Sequence, residues 1–411
     1  MSSTRQTNRV VITGMGTINS LGWTAQDTMK AMAEGTDGIS ELQNIIEIQN
    51  MRYTRGGQIK GYDEKDHWTR MQIAIFDRFT QLNILAAREA VEQSGLEFDG
   101  ELAEEAGIIM GNGSGGAETW ERTYHNYFAS DNPKRRANPF IIPRVMGNAP
   151  VCHISMEHNI KGPSFTVTSG CASANHAMTQ AFHMVKYGMA PVMLTGGSEA
   201  ILNLSGMKAW EGLRVVSPGY CRPFSLGRQG IVHGEGAGVF VFEEYEHAKA
   251  RGANIICEVL GAACTADSSD LVMPEVSGLI RSMEKCLKDA SINPDQVDYI
   301  NAHGTGTVPN DRTEIDAIKQ TFGDHAHKLS VSSTKSMHGH CIGGTGAVEL
   351  LAAIMAVNDG IIAPTINYEE PDPECDLDVV PNTAKEKKVN VAISNNFAFG
   401  GLNSTIAIRG M

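Results

Sequence analysis

Five short apolar runs, rich in β-branched residues and closed by glycine or serine, recur along the chain: Val10-Val-Ile-Thr-Gly14, Gly107-Ile-Ile-Met-Gly111, Val192-Met-Leu-Thr-Gly196, Ile255 to Gly261 and Val389 to Ser394. Runs of that length between turn residues read as strands buried on both faces. Helix-period patterns separate them. Leu82, Leu85, Ala86 and Ala90 stop at Gly95, and Ala174, Ala177, Met178, Ala181, Phe182 and Val185 stop at Gly188. This alternation predicts an α/β fold with largely parallel sheets. The rhythm repeats with a strand near 255–262, a helix over Leu279 to Ala290, a strand at Tyr299 to Ala302, a helix from Arg312 and another over Thr345 to Val357. The chain therefore reads as two similar βα halves, residues 1–254 and 255–411, alike in element type.

No Pro/Ser-rich linker, charge block or low-complexity tract separates these halves, so one integrated body is expected. Hydrophobic residues make up 42% of the chain and charged ones 20%, enough for a sizeable core. Lys and Arg number 34 against 47 Asp and Glu, and the resulting net charge of −13 argues against a nucleic-acid partner. The most apolar stretch, Ala347 to Val357, is shorter than the ~18 residues a membrane span needs and carries Glu349, so no membrane span is expected. Met1 to Arg9 is polar, without the apolar core of a signal peptide, which predicts a cytoplasmic protein. The eight cysteines form no Cys-x-x-Cys pair and should be reduced thiols. His325-Ala-His327 and His338-Gly-His340, the latter followed by Cys341, have the look of metal-binding pairs. No second soft pair lies at zinc-type spacing, so no metal is expected.

The chemistry-bearing residues sit where strands end. In Thr166-Val-Thr-Ser-Gly170-Cys171-Ala-Ser-Ala a strand stops at glycine and a helix starts within a residue or two of the cysteine. Unpaired N–H groups and the helix dipole there should favour thiolate, drawing the thiol below ~7.5, and should supply half of an oxyanion hole. Asn301-Ala-His303-Gly304-Thr305-Gly-Thr307 and Ser333-Thr-Lys335-Ser-Met-His338-Gly-His340 each follow a short apolar strand. One thiol, two imidazoles and an ammonium suit acyl transfer through a thioester, with neutral His N–H groups stabilising a carbonyl oxygen. The loop Asn395-Asn-Phe397-Ala-Phe399-Gly400-Gly401-Leu-Asn403 has two readings, a gate over a pocket or a tight turn whose rings fill the core.

A competing motif is Gly111-Asn-Gly113-Ser-Gly-Gly116, which matches the dinucleotide fingerprint G-x-G-x-x-G, with Asp131 twenty residues on. The context is wrong for it. Trp120 to Ala129 looks helical or irregular where a strand should follow, and Asp131 sits in Asp-Asn-Pro-Lys.

Together these segments resemble the β-ketoacyl-acyl carrier protein synthases of the type II, elongating class over nearly the full length. The resemblance rests on the turn at Cys171, Asn-Ala-His-Gly-Thr at 301–305, Ser-Ser-Thr-Lys-Ser-Met-x-Gly-His at 332–340 and Phe-x-Phe-Gly-Gly at 397–401. It implies a thiolase-like fold, two βα halves packed as a layered α/β/α/β/α body, the first carrying the cysteine and the second the His/Lys/His set. It implies a 3-oxoacyl-[acyl-carrier-protein] synthase reaction in fatty-acid biosynthesis: Cys171 takes the acyl chain, malonyl-carrier loses CO₂, and Claisen condensation lengthens the chain by two carbons. His303 and His340 would hold the malonyl thioester oxygen, with Lys335 fixing charge around them. The N–H groups of Cys171 and Phe399 would form the other oxyanion hole, with Phe399 as gate. Thr305 and Thr307 would hold the phosphopantetheine arm; Ser114, Phe397 and Gly400 would meet substrate; Asp311 and Glu314 would brace the loop. No metal or other cofactor is implied, the substrates riding on the phosphopantetheine of acyl carrier protein. The expected partners are that carrier and a second copy of the chain, with a heterodimer containing a chain-length factor as the alternative.

Several positions depart from the family pattern: Ser-Gly-Cys for the usual Thr-Ala-Cys, His338 for Thr, Ala398 for Gly, a small Ser114 where a bulky residue is common, and Asp270 and Val272 where His and Thr are frequent. Met71 to Ile75 is apolar where the family carries basic residues for carrier docking, leaving Arg70, Lys208, Arg214 and the run Lys134-Arg-Arg136. The departures suggest a specialised enzyme, so a ketosynthase for a polyketide, polyene or other secondary acyl chain is the second reading. A non-catalytic chain-length partner and a nucleotide-dependent oxidoreductase are the remaining alternatives.

Overall fold

The computed structural model describes residues 7–45, 47–132 and 136–411. Apolar runs become strands β1 (Val10–Asn19), β2 (Gly107–Gly111), β3 (Ser164–Val167), β4 (Val192–Ala200) and β5 (Glu235–Glu244), followed by β6 (Cys257–Ala266), β7 (Tyr299–Asn301), β8 (Ser330–Ser332), β9 (Val391–Ala398) and β10 (Leu402–Arg409). They join in the order β8-β7-β9-β10-β6-β1-β5-β4-β2-β3. The first five strands run 1-5-4-2-3 across their block, and the second five run 6-10-9-7-8, strand for strand the same arrangement. Among the described residues, the strand ladder between the blocks is Val10, Val11 and Ile12 paired with Val259, Glu258 and Cys257.

The sheet is mixed rather than largely parallel. β2 runs parallel to β3 and β4, and β7 parallel to β8 and β9, while β5 and β10 run antiparallel to their neighbours. Direction follows from connections, which apolar runs do not encode. β9 returns into β10 through Gly400 (φ +86°) and Gly401 (φ +66°), a turn too tight for anything but a hairpin.

Five helices position the site: α1 (Arg78–Ser94), α2 (Ser173–Lys186), α3 (Val276–Ala290), α4 (Val308–Phe322) and α5 (Thr345–Asp359). Asp77 caps the start of α1, and Gly95, at φ +65°, ends it as the sequence predicts. α1 packs outside the first block, and α3 and α4 outside the second. α2 and α5 lie between the blocks, sharing one core with residues of both, which gives the layered α/β/α/β/α body. Residues 345–356 of α5 are all buried, because a helix with a sheet on either side needs apolar residues all round. The segment Ile342–Asp359 is long and apolar enough to cross a membrane, and 83% of it is buried inside the protein. Close approach in this layer depends on glycine: a Cβ on Gly111 would sit 2.3 Å from the Ser173 carbonyl carbon, and one on Gly346 would sit 2.2 Å from Asn175 Oδ1.

Candidate active site

Loops leaving the C-terminal ends of β3, β7, β8 and β9 converge at the central layer, the place where open α/β sheets bind ligands. After β3 the chain turns at Gly170 (φ +59°) into a single 3₁₀ turn, Gly170–Ala172, that runs directly into α2. Ser173 Oγ ties this turn down by donating to Gly170 O at 2.7 Å, and it accepts from Ser169 N–H at 2.9 Å. Cys171 is thereby held 6% exposed on the wall of a cavity of about 90 Å³.

The sulfur of Cys171 and one ring nitrogen each from His303 and His340 lie within 4.8 Å of one another. The two rings meet edge to face, centroids 5.5 Å apart. The backbone N–H groups of Phe399 and Cys171 itself point at the sulfur. Burial nevertheless dominates, pushing the Cys171 thiol up to about 12 against the opposing pull of Lys335 and those two N–H groups. The resting group is a neutral thiol. The thiolate expected from the helix start is not formed, because the turn that places Cys171 at α2 also removes it from water.

Burial also holds both imidazoles well below their ordinary value, helped by Lys335, so both are neutral. Ile342 N–H donates to His340 Nδ1 at 3.1 Å. A nitrogen that accepts carries no proton, so His340 presents Nε2–H to the site as a donor. That tautomer suits an oxyanion rather than a metal ion, which needs the lone pair. Of the His pairs noted in the sequence, His340 belongs to this cluster, while His325 bonds Val297 O and His338 bonds Thr334 Oγ1.

Lys335 is wholly buried. Its Nζ donates to His303 O at 2.6 Å and to Glu349 Oε1 at 2.5 Å, and Asn396 Nδ2 donates to the other Glu349 oxygen at 3.2 Å. Glu314 accepts the N–H groups of His303 and Gly304, both at 2.8 Å, and burial lifts its carboxyl to about 7. Asp311 accepts from the N–H groups of Phe224 and Gly306 beside Arg228. Thr305 and Thr307 hydroxyls are 2.8 Å apart on the cavity wall. Phe397 and Phe399 also line it, and Phe399, 37% exposed, stacks on Trp210 at 5.7 Å. Phe397, 5% exposed, packs into the core, as one reading of this loop expects.

Ser114 and Gly400 do not line the cavity. The Ser114 side chain is exposed, and its N–H, with those of Gly113 and Gly343, is bound by the buried carboxylate of Glu199. The glycine-rich loop that matches a dinucleotide fingerprint thus already holds an acid supplied by the chain itself, whose carboxyl burial lifts to about 7. Arg70, Arg136, Lys208 and Arg214 are exposed; Lys134 and Arg135 lie outside the described residues. Sequence reasoning passed over Glu199, Trp210 and the role of Glu349. The signal for Glu349 was present, since a lone acid in an otherwise apolar helix needs a buried partner.

Residues 7–248 match the family described as "Beta-ketoacyl synthase, N-terminal domain" and residues 256–369 the one described as "Beta-ketoacyl synthase, C-terminal domain". The chain is a β-ketoacyl synthase. It is 48% identical to "Nodulation protein E" of Rhizobium sp. (strain N33), over 98% of this chain and 99% of that one. It is 38% identical to "3-oxoacyl-[acyl-carrier-protein] synthase 2" of Staphylococcus aureus (strain N315), with the same shares covered. Among solved structures, "The ishigamide ketosynthase/chain length factor" superposes with a TM-score of 0.93 at 30% identity, covering 98% of this chain and 100% of that chain. As a β-ketoacyl synthase the protein is a condensing acyltransferase, and the thiol, imidazoles and ammonium gathered here are the groups available for that chemistry.

Proposed function

We propose that this β-ketoacyl synthase extends acyl chains held on an acyl carrier protein by decarboxylating condensation with malonyl-carrier. The observation that carries the reading is the meeting of Cys171 with His303 and His340, His340 turned so that Nε2–H faces the cavity. In acyl transfer the Cys171 sulfur bonds to the acyl carbon, the carbon–sulfur bond to phosphopantetheine breaks, and the thiol proton leaves with the carrier sulfur. The N–H groups of Cys171 and Phe399 take the charge on the carbonyl oxygen. Malonyl-carrier then loses CO₂, and the electron pair passes into an enolate whose oxygen is held by His303 and His340. The enolate carbon attacks the thioester, the bond to Cys171 breaks, and the departing sulfur regains a proton from solvent.

Lys335, paired with Glu349 and bonded to His303 O, fixes His303 and helps to keep both rings neutral. Thr305 and Thr307 bind the phosphopantetheine arm, Phe399 on Trp210 gates the acyl path, and Asp311 and Glu314 brace the 303–307 loop. No metal or other cofactor enters this scheme. The outer edge of β3, unpaired among the described residues and with Phe165 exposed, suits pairing with a second copy of the chain. A chain-length factor in that place is the alternative, consistent with the name of the ishigamide neighbour. Arg70, Lys208 and Arg214 are available to an acidic carrier.

A specialised acyl chain is the second reading, favoured by 48% identity to Nodulation protein E against 38% to 3-oxoacyl-[acyl-carrier-protein] synthase 2. Intact-protein mass spectrometry after incubation with acyl-carriers of varied length and saturation tests both. The condensing reading requires an acyl adduct that disappears in Cys171→Ser, and uptake of ordinary saturated chains alone would remove the specialised one.

A further inference from the structure

Ile342 has φ +38°, a conformation that is strained for a β-branched residue. It is 4% exposed, two residues after His340, and its N–H is the group that binds His340 Nδ1. The next N–H, that of Gly343, donates at 3.1 Å to Oε2 of Glu199 near the end of β4. The same oxygen accepts Gly113 N–H at 2.7 Å, and Oε1 accepts Ser114 N–H at 3.2 Å. Glu199 is wholly buried, and these three are its hydrogen-bond partners among the described residues. Burial lifts its carboxyl to about 7 against the pull of those three N–H groups, and the charge of Asp77 adds to the rise. The two loops press backbone to backbone around it: a Cβ on Gly343 would come within 2.2 Å of Gly113 N.

We infer that Glu199 is a positioning residue for His340: by clamping Gly343 it holds Ile342 in its unfavourable φ and so keeps Ile342 N–H on His340 Nδ1. A carboxylate with two acceptor oxygens is what three converging N–H groups require, and an amide in its place leaves at least one of them facing an NH₂. If the clamp opens, Ile342 relaxes toward negative φ, its N–H swings away, and His340 is free to hold its proton on either nitrogen. Only enolate stabilisation uses that proton, so acyl transfer to Cys171 should be spared. The inference rests on the role proposed for His340.

The test compares Glu199→Gln, Ile342→Gly and the double variant, reading acylation of Cys171 by mass spectrometry and malonyl-carrier decarboxylation by CO₂ release. Glu199→Gln should acylate within about threefold of wild type while kcat for decarboxylation falls about tenfold or more at a nearly unchanged KM. Glycine adopts positive φ without strain, so the double variant should regain at least about threefold over Glu199→Gln, a coupling that mere loss of packing does not give. If Glu199→Gln does not fold, recovery of folding in the double variant supports the inference and a second failure overturns it. Unchanged decarboxylation in Glu199→Gln, or no gain in the double variant, also overturns it. His340→Ala is the reference: if it decarboxylates normally the role of His340 falls, and if it is impaired while Glu199→Gln is not, only the present inference does.

Discussion

Removing Lys335 by substitution with Met leaves Glu349 wholly buried with Asn396 Nδ2 as its remaining side-chain partner. His303 O also loses a 2.6 Å hydrogen bond. Breaking a buried ion pair from one side typically costs about 3–5 kcal/mol, whereas replacing both partners by apolar residues is often near neutral. Lys335→Met should therefore destabilise by that amount near pH 8, and Lys335→Met with Glu349→Leu by much less. The pH dependence is more diagnostic. Burial already raises the Glu349 carboxyl with Lys335 present, and loss of the ammonium raises it further. Between the unfolded Glu value and this raised value the folded variant holds a proton that the unfolded chain does not, so its stability falls as pH rises through that window, by up to about 1.4 kcal/mol per pH unit. Urea unfolding of wild type, the single and the double variant near pH 5.5 and pH 8 reads this directly. A single-variant deficit that is equal at both pH values, larger at low pH, or matched by the double variant would refute the reasoning.

Alkylation of Cys171 by iodoacetamide should quicken about tenfold per pH unit between pH 7 and 9, since only thiolate reacts and the thiol lies near 12; a plateau below pH 8 contradicts this. His303→Ala should lower malonyl decarboxylation about 10²–10³-fold while Cys171 still becomes acylated, as expected for loss of one oxyanion donor. Phe399→Ala removes the ring stacked on Trp210, so Cys171 alkylation at fixed pH should accelerate severalfold, measured by peptide mass spectrometry. Thr307→Ala should raise KM for the carrier-bound substrate with little change in kcat, as loss of uniform binding does.

The strand-turn-helix at Cys171 and the small-residue loops after β7 and β8 were legible because apolar runs and glycine stops are local signals. Their convergence was not. Cys171 comes from one half and His303, Lys335 and His340 from the other, and only the docking of α2 against α5 brings them together. The neutral thiol was missed for the same reason: the helix-start effect is local, whereas burial depends on the second half covering the turn. Strand direction escaped because β5 and β10 read like any other apolar run. Glu199 looks like an ordinary strand-end acid, and its task appears only when Gly113, Ser114 and Gly343 are placed around it.

The seam between the blocks is three residue pairs long, from Val10 to Ile12, while the helices it brings together are long and apolar. A chain cut in the Arg251–Ile256 connection would keep each block's hydrogen-bonded ladder intact and lose one covalent tether. Two such polypeptides should reassemble when mixed, and because Cys171 lies on one and His303 and His340 on the other, recovered turnover would count the reunited molecules.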